Sequence, residues 1–238
     1  NMKIVVIEPL GVKQEALDTL ASEILPQGAE VVYYGNRAGS TQELIERGKD
    51  ADVIIVANQP LPAEAIRGFE KLKLLSVAFT GYDHVAMDAC REKGVVVCNC
   101  AGYSTAAVAD LTFGLILSLY RNIGECDRRI RQGGTKAGLI GPELEGKKFG
   151  VIGAGAIGQR VIRIAQAFGC EVYAYSRTRK EIPGVVWADL DTLLEECDII
   201  SLHVPLNDST RGLIGQAQLH KMKNTALLIN TARGPVVD

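Results

Sequence analysis

The chain carries no surplus of charge of either sign: 26 Lys and Arg stand against 28 Asp and Glu, a formal net charge of −2. Without a basic excess there is no electrostatic footprint for nucleic acid or an anionic membrane surface, and neither is expected as a partner. Long apolar runs are missing too. A bilayer span needs about 20 apolar residues, and the best candidate, Phe113 to Tyr120, is broken by Gly114 and Ser118. The opening NMKIVVIEPL reaches Glu8 after a short apolar run with no small-residue cleavage site behind it, which does not make a secretory signal. A cytoplasmic protein is expected. The six cysteines, at 90, 98, 100, 126, 170 and 197, form no Cys-x-x-Cys pair and no Cys/His cluster of zinc spacing, so no metal site is expected. They read as small, buried, reduced thiols. Cys98 and Cys100, two apart on a strand, would share one face of a core.

What is present is a chain with 47% hydrophobic residues, enough for a substantial core. Short β-branched runs alternate with helical patterns throughout, the signature of α/β layers on parallel sheets. The runs are 3–8, 29–34, 52–57, 72–79 and 95–99, then 148–153, 171–176, 198–204 and 225–230. They fall into two sets, predicting one α/β domain over 1–100 and a second over 101–238. Between the sets lies a helix opened by Ser104 or Thr105 and running through AAVADLTFGLILSLYRNI, with Ala107, Leu111, Leu115 and Leu119 at helical spacing. It is apolar over much of its surface, which suits burial between layers or a dimer interface. A charged segment from Gly124 to Gln132 follows.

The two sets echo one another. KDADVIIVANQPLP (49–62) resembles EECDIISLHVPLND (195–208), and KLKLLSVAFTG (71–81) resembles KMKNTALLINTARG (221–234). Two matches in the same order favour two similarly built halves.

The most specific local signal spans 147–180. Gly153, Gly155 and Gly158 form Gly-x-Gly-x-x-Gly after an apolar strand and before a helical pattern, with a second strand following at βαβ spacing. Gly153 would permit the tight turn, Gly155 would let a pyrophosphate approach the backbone, and Gly158 would let helix pack on strand. At the end of the second strand, where an NAD site usually carries an acid for the ribose 2′-hydroxyl, stand Ser176 and Arg177, with Arg179 and Lys180 beyond. Such groups bond a 2′-phosphate with charge assistance, so NADP is favoured over NAD. His203, near the C-terminal end of a predicted strand, is either a general acid or, as we prefer, a residue packing beside the cofactor. Arg233 also follows a strand. Its guanidinium can hold a carboxylate bidentately and polarise the adjacent carbonyl.

Together these segments resemble the D-isomer-specific 2-hydroxyacid dehydrogenases: TGYDHVAMDAC (80–90), NCAGYSTAAVAD (99–110), GVIGAGAIGQRV (150–161), DIISLHVPLNDSTRGLIG (198–215) and NTARGPVVD (230–238) match in order along nearly the whole chain. YSRTRK and the GYST loop look most like glyoxylate and hydroxypyruvate reductases or glycerate dehydrogenases. The resemblance implies a flavodoxin-like N-terminal substrate domain and a Rossmann-type, doubly wound dinucleotide-binding domain. Activity would be hydride transfer between NAD(P)H and a small 2-keto or 2-hydroxy acid in a cleft between the domains, in a homodimer formed through the helix at 104–120. By position, Ala156 and Ile157 would meet the pyrophosphate, Ser176 and Arg177 the adenosine side, and His203, Val204 and Pro205 the adenine end, with Thr210 near them. Thr231, Ala232 and Arg233 would border the nicotinamide, Arg233 also binding substrate. Amides around Thr80, Gly81 and Tyr82 would hold the substrate carboxylate, with Asn58 as a lesser candidate. The family's proton-donating histidine and its supporting glutamate lie downstream of the arginine and would fall beyond Asp238. The expectation is a reductase whose C-terminal part is absent; the alternative is a naturally shortened homologue that acts by binding.

Overall fold

A computed structural model describes residues 1–238. They form two compact units, Asn1–Tyr103 and Ser104–Asp238. No single helix is long and apolar enough to cross a membrane.

The first unit runs β1 (Lys3–Val6), α1 (Gln14–Ile24), β2 (Glu30–Tyr33), α2 (Thr41–Gly48), β3 (Val53–Val56), α3 (Ala63–Gly68), β4 (Leu74–Val77), α4 (Met87–Lys93) and β5 (Val96–Asn99). Its strands form one parallel sheet in the order β2-β1-β3-β4-β5. The central strands are continuous apolar runs because a parallel sheet is covered on both faces; Val5, Ile54, Val56, Leu75 and Val77 are buried with Leu61, Ile66 and Phe69 from the layer above. Local signals set the helix ends. Ser40 accepts the Glu43 N–H in its side chain (3.1 Å) and starts α2, and Gly94, at φ +68°, stops α4.

The second unit runs α5 (Thr105–Tyr120), α6 (Ile123–Arg131), β6 (Lys148–Ile152), α7 (Ala156–Ala167), β7 (Glu171–Tyr175), β8 (Val185–Trp187), α8 (Leu190–Glu196), β9 (Ile199–Leu202), α9 (Gln216–Lys221) and β10 (Leu227–Asn230), closing on a 3₁₀ turn, Gly234–Val236. Its parallel sheet has the order β10-β9-β6-β7-β8. α5 and α7 cover one face around Phe113, Ile116, Val161 and Phe149, and Leu193, Leu194 and Ile200 fill the other. The last residues are fastened to the loop before α9: Gly212 donates to the Pro235 carbonyl (2.8 Å), Ile214 to Val236 (3.1 Å), and Asp238 to Ile214 (2.9 Å).

Three expectations need correction. Cys98 and Cys100 are exposed, as β5 is the edge strand of its sheet; only Cys90, Cys170 and Cys197 are buried. The α5 stripe of Leu111, Leu115 and Leu119 is exposed in the single chain and so is not buried between layers, the first of the two settings expected for it, whereas Ala109, Thr112, Phe113, Ile116 and Tyr120 face the sheet. Ser104 precedes α5 without capping it through its side chain. β8, a three-residue edge strand, has no counterpart among the runs read from the sequence.

Candidate active site

In each sheet the strand order reverses beside the first strand, between β1 and β3 and between β6 and β9. A crevice at such a reversal, beyond the carboxyl ends of the strands, is where open α/β sheets bind ligands. In the second unit the glycine turn occupies it. Gly153 has φ +99°, and a Cβ there would run into the carbonyl of His203. A Cβ at Gly158 would run into the carbonyl of Gly153, so helix and strand are in backbone contact. At Gly155 a Cβ would meet nothing within 4 Å. That is the shape a pyrophosphate requires: two glycines consumed by packing, and one opening onto free space at the N-terminus of a 12-residue helix. The first N–H of α7 taken up by this turn is that of Gln159, which donates to Gly155 (2.9 Å), while its side chain donates to Ala154 (3.0 Å) and fixes the loop. Ala156 is exposed and Ile157 half-buried at the open end.

The neighbouring strand ends converge on this turn. Gly153 donates to the Tyr175 carbonyl (2.8 Å), which sets Ser176 beside it, and Arg177, Arg179 and Lys180 continue as exposed cations. His203 donates its backbone N–H to Ile152 (2.7 Å), which brings His203, Val204 and Pro205 to the other side. The His203 ring hydrogen-bonds through Nε2 to Oγ of buried Ser201 (2.7 Å), and burial pushes its pKa down to about 4. The imidazole is neutral near pH 7. Thr210 lies farther along this loop. Its hydroxyl donates to the Pro205 carbonyl (2.6 Å) and accepts the Asn207 N–H (2.9 Å), so it closes the loop onto itself.

At the end of β10 the turn Asn230–Arg233 is stapled by a side chain that motif reading passed over. Asn230 accepts the Ala232 N–H (3.0 Å) and donates to the Arg233 carbonyl (2.8 Å), an Asx-type turn legible in principle from Asn at a strand end. Thr231 is 3.1 Å, oxygen to oxygen, from the hydroxyl of buried Thr112 on α5, which itself contacts the Val108 carbonyl (2.9 Å). Arg233 is half-buried, with Nη1 donating to the Ala232 carbonyl (3.0 Å).

In the first unit the candidate residues also share one loop cluster. Leu61 donates to His84 (2.8 Å) and Ala86 donates back to Leu61 (3.0 Å), which ties the loop carrying exposed Asn58 to the loop carrying Thr80, Gly81 and Tyr82. Asn99 donates to the Thr80 carbonyl (2.7 Å), and Tyr82 is exposed.

Residues 113–238, more than half of the chain, match the family model for the NAD-binding domain of D-isomer specific 2-hydroxyacid dehydrogenases. The chain belongs to this family. A glyoxylate reductase of Korarchaeum cryptofilum is 37% identical over 84% of the chain and 63% of its own length. A hydroxypyruvate reductase of Thermotoga maritima is 37% identical over 94% of the chain and 74% of its own length. Among solved structures of such folds, an acyclic imino acid reductase in complex with NADPH and D-Arg superposes over the whole chain and 76% of its own, with a TM-score of 0.91 and 30% identity. The chain therefore spans under two thirds of the archaeal glyoxylate reductase. The family's NAD-binding domain falls on the unit that holds the glycine turn.

Proposed function

We propose that the protein is an NAD(P)H-dependent reductase of small 2-keto acids such as glyoxylate or hydroxypyruvate. The observation that carries this is the glycine turn: Gly153 and Gly158 are locked by backbone contact, Gly155 is open, and the turn lies at the same sheet edge as the strand end bearing Arg233. A bound nicotinamide dinucleotide would supply the hydride. The chain's own residues do the rest. The α7 N-terminus and the glycine turn receive the pyrophosphate, His203, Val204 and Pro205 flank the adenine end, and Thr231 and Ala232 border the nicotinamide. In the second unit Arg233 engages a keto-acid carboxylate and carbonyl; in the first, the Thr80–Tyr82 amides and Asn58 offer donors for a carboxylate. NADP is preferred, since the cations after Ser176 offer charge-assisted bonds to a 2′-phosphate where no carboxylate stands to repel it. The protein acts as a homodimer through the exposed apolar stripe of α5, Leu111, Leu115 and Leu119, which stands at 56%, 41% and 57% exposure in the single chain.

NADPH fluorescence titration and NADPH oxidation with glyoxylate and hydroxypyruvate test the proposal. Binding of one NADPH per chain, and turnover that falls ~10²-fold or more in Arg233→Ala, are the expected results; failure to bind either dinucleotide would end it. Ser176→Asp should move preference from NADPH toward NADH, read as the ratio of the two kcat/KM values.

A further inference from the structure

The first unit repeats the architecture of the second, and the residue at the place of Gly153 is a glutamate. Pairing β1 with β6 through their registers on β3 and β9 sets Ile4 against Phe149 and therefore Glu8 against Gly153. In the second unit that position is bare backbone. In the first it holds a carboxylate only 2% exposed. Glu8 Oε1 accepts the backbone N–H groups of Ala57 (2.8 Å) and Gln59 (2.7 Å), the residues on either side of Asn58, and Oε2 accepts Nε of Arg37 (3.1 Å). The place occupied by bare glycine backbone in one sheet is thus filled in the other by the chain's own anion.

Arg37 extends the arrangement to Asn58. Its Nη2 lies 3.1 Å from Asn58 Oδ1. A guanidinium has only donors, so the Asn58 atom facing it must be the carbonyl oxygen, and the amide NH₂ is turned the other way. Arg37 is itself held in place: its neighbour Ala38 exchanges two hydrogen bonds with the side chain of buried Gln59 (3.2 and 2.8 Å), and Asn36 on its other side accepts from buried Arg47 (2.7 Å). The Leu61–His84 and Ala86–Leu61 bonds seat this loop beside Thr80–Tyr82.

We propose that Glu8 and Arg37 are positioning residues that fix the Asn58 amide with its NH₂ outward, as a hydrogen-bond donor to a carboxylate or carbonyl oxygen of the 2-keto acid. This rests on the reading of the Asn58 and Thr80–Tyr82 loops as the keto-acid site. Neither residue touches substrate. They act by orientation, so that no rotation of the amide is needed when the anion arrives.

The test uses the unreactive analogue oxamate, titrated calorimetrically into the full chain loaded with NADPH. Arg37→Met removes the group that orients the amide. Asn58→Asp keeps the shape and the Arg37 bond while replacing the donor with an anion. Each should weaken oxamate at least tenfold and leave NADPH affinity within twofold, with Arg37→Lys falling in between. In wild type, the Asn58 side-chain ¹⁵N–¹H resonances, assigned by their loss in Asn58→Asp, should shift on oxamate addition, an effect that a purely structural role would not produce. Oxamate binding equal to wild type in Arg37→Met or Asn58→Asp would overturn the proposal, as would a wild-type chain that does not bind oxamate. If the variants discriminate on oxamate while wild type turns over neither glyoxylate nor hydroxypyruvate, only the reductase reading fails.

Discussion

Gly153, Gly155 and Gly158 fall within six residues of one another and meet different demands. Gly158 is required by the fold, because a methyl there would collide with the Gly153 backbone; Gly155 is required only by a ligand, because nothing in the chain occupies its Cβ position. Gly158→Ala should therefore cost about 1–3 kcal/mol or more of stability, the range for overpacking, whereas Gly155→Ala should melt near wild type and lose NADPH affinity. Thermal melts paired with NADPH titration separate the two. His203 provides a pH signature. Its folded pKa of about 4 lies below the ordinary value of 6.5, so the folded state resists protonation. Its contribution to stability is intact above pH 6.5 and is lost as pH falls from 6.5 toward 4, at up to ~1.4 kcal/mol per pH unit. Urea unfolding at pH 7, 6 and 5 should show this extra slope in wild type and not in His203→Gln; His84 and His220 are common to both chains and cancel. The motif residues were legible at this scale because their chemistry is local. Ser201, Thr112, Glu8 and Arg37 were not, because each acts through a partner distant in sequence or hidden by the strand pleat.

Among the elements, α5 shows where a helical pattern stops being informative. Its residues are apolar nearly all round, so the periodicity marks a helix without saying which stripe faces the sheet. The inner stripe is the one carrying Phe113 and Ile116, whose neighbours Phe149 and Phe168 stack with Phe113 at centroid distances of 5.6 and 5.5 Å. The outer stripe supports the dimer reading. Leu115→Glu should convert a dimer to a monomer in analytical ultracentrifugation with little change in the melting temperature at low concentration, since that side chain is 41% exposed in the single chain. β5, read as a strand but expected to bury Cys98, and β8, absent from the apolar runs, share a related reason. Both are edge strands, and a short strand with one uncovered side has neither the length nor the continuous apolar run that marks a buried one.

Across the whole molecule the internal echo becomes a duplicated set of hydrogen bonds. Asp52 accepts the Lys3 N–H (3.0 Å) and the Lys73 ammonium (2.9 Å); Asp198 accepts the Lys148 N–H (2.9 Å) and the Lys223 ammonium (3.0 Å). Lys3 pairs with Asp50 and Lys148 with Glu196 (2.8 and 2.5 Å). Burial alone would raise the Asp198 pKa, but the Lys148 N–H and Lys223 outweigh it; in Asp52 the Lys3 N–H and Lys73 lower it. Each aspartate fastens the start of its own central strand. Asp52→Asn should speed hydrogen exchange at Ile4–Val6 and not at Phe149–Ile152, and Asp198→Asn should do the reverse, each by roughly tenfold. The two α/β halves, most of their strand runs, the glycine turn and the family are legible in the order of residues alone, since apolar continuity, helix spacing and a motif of fixed spacing are properties of neighbours along the chain. It takes the assembled sheets to place buried Glu8 where the second unit has Gly153, to set Arg37 against Asn58 Oδ1, and to bury His203 so that its imidazole is neutral. Those depend on which strands lie side by side and on how deeply a group is withdrawn from water, and register and burial emerge only when the sheet is assembled.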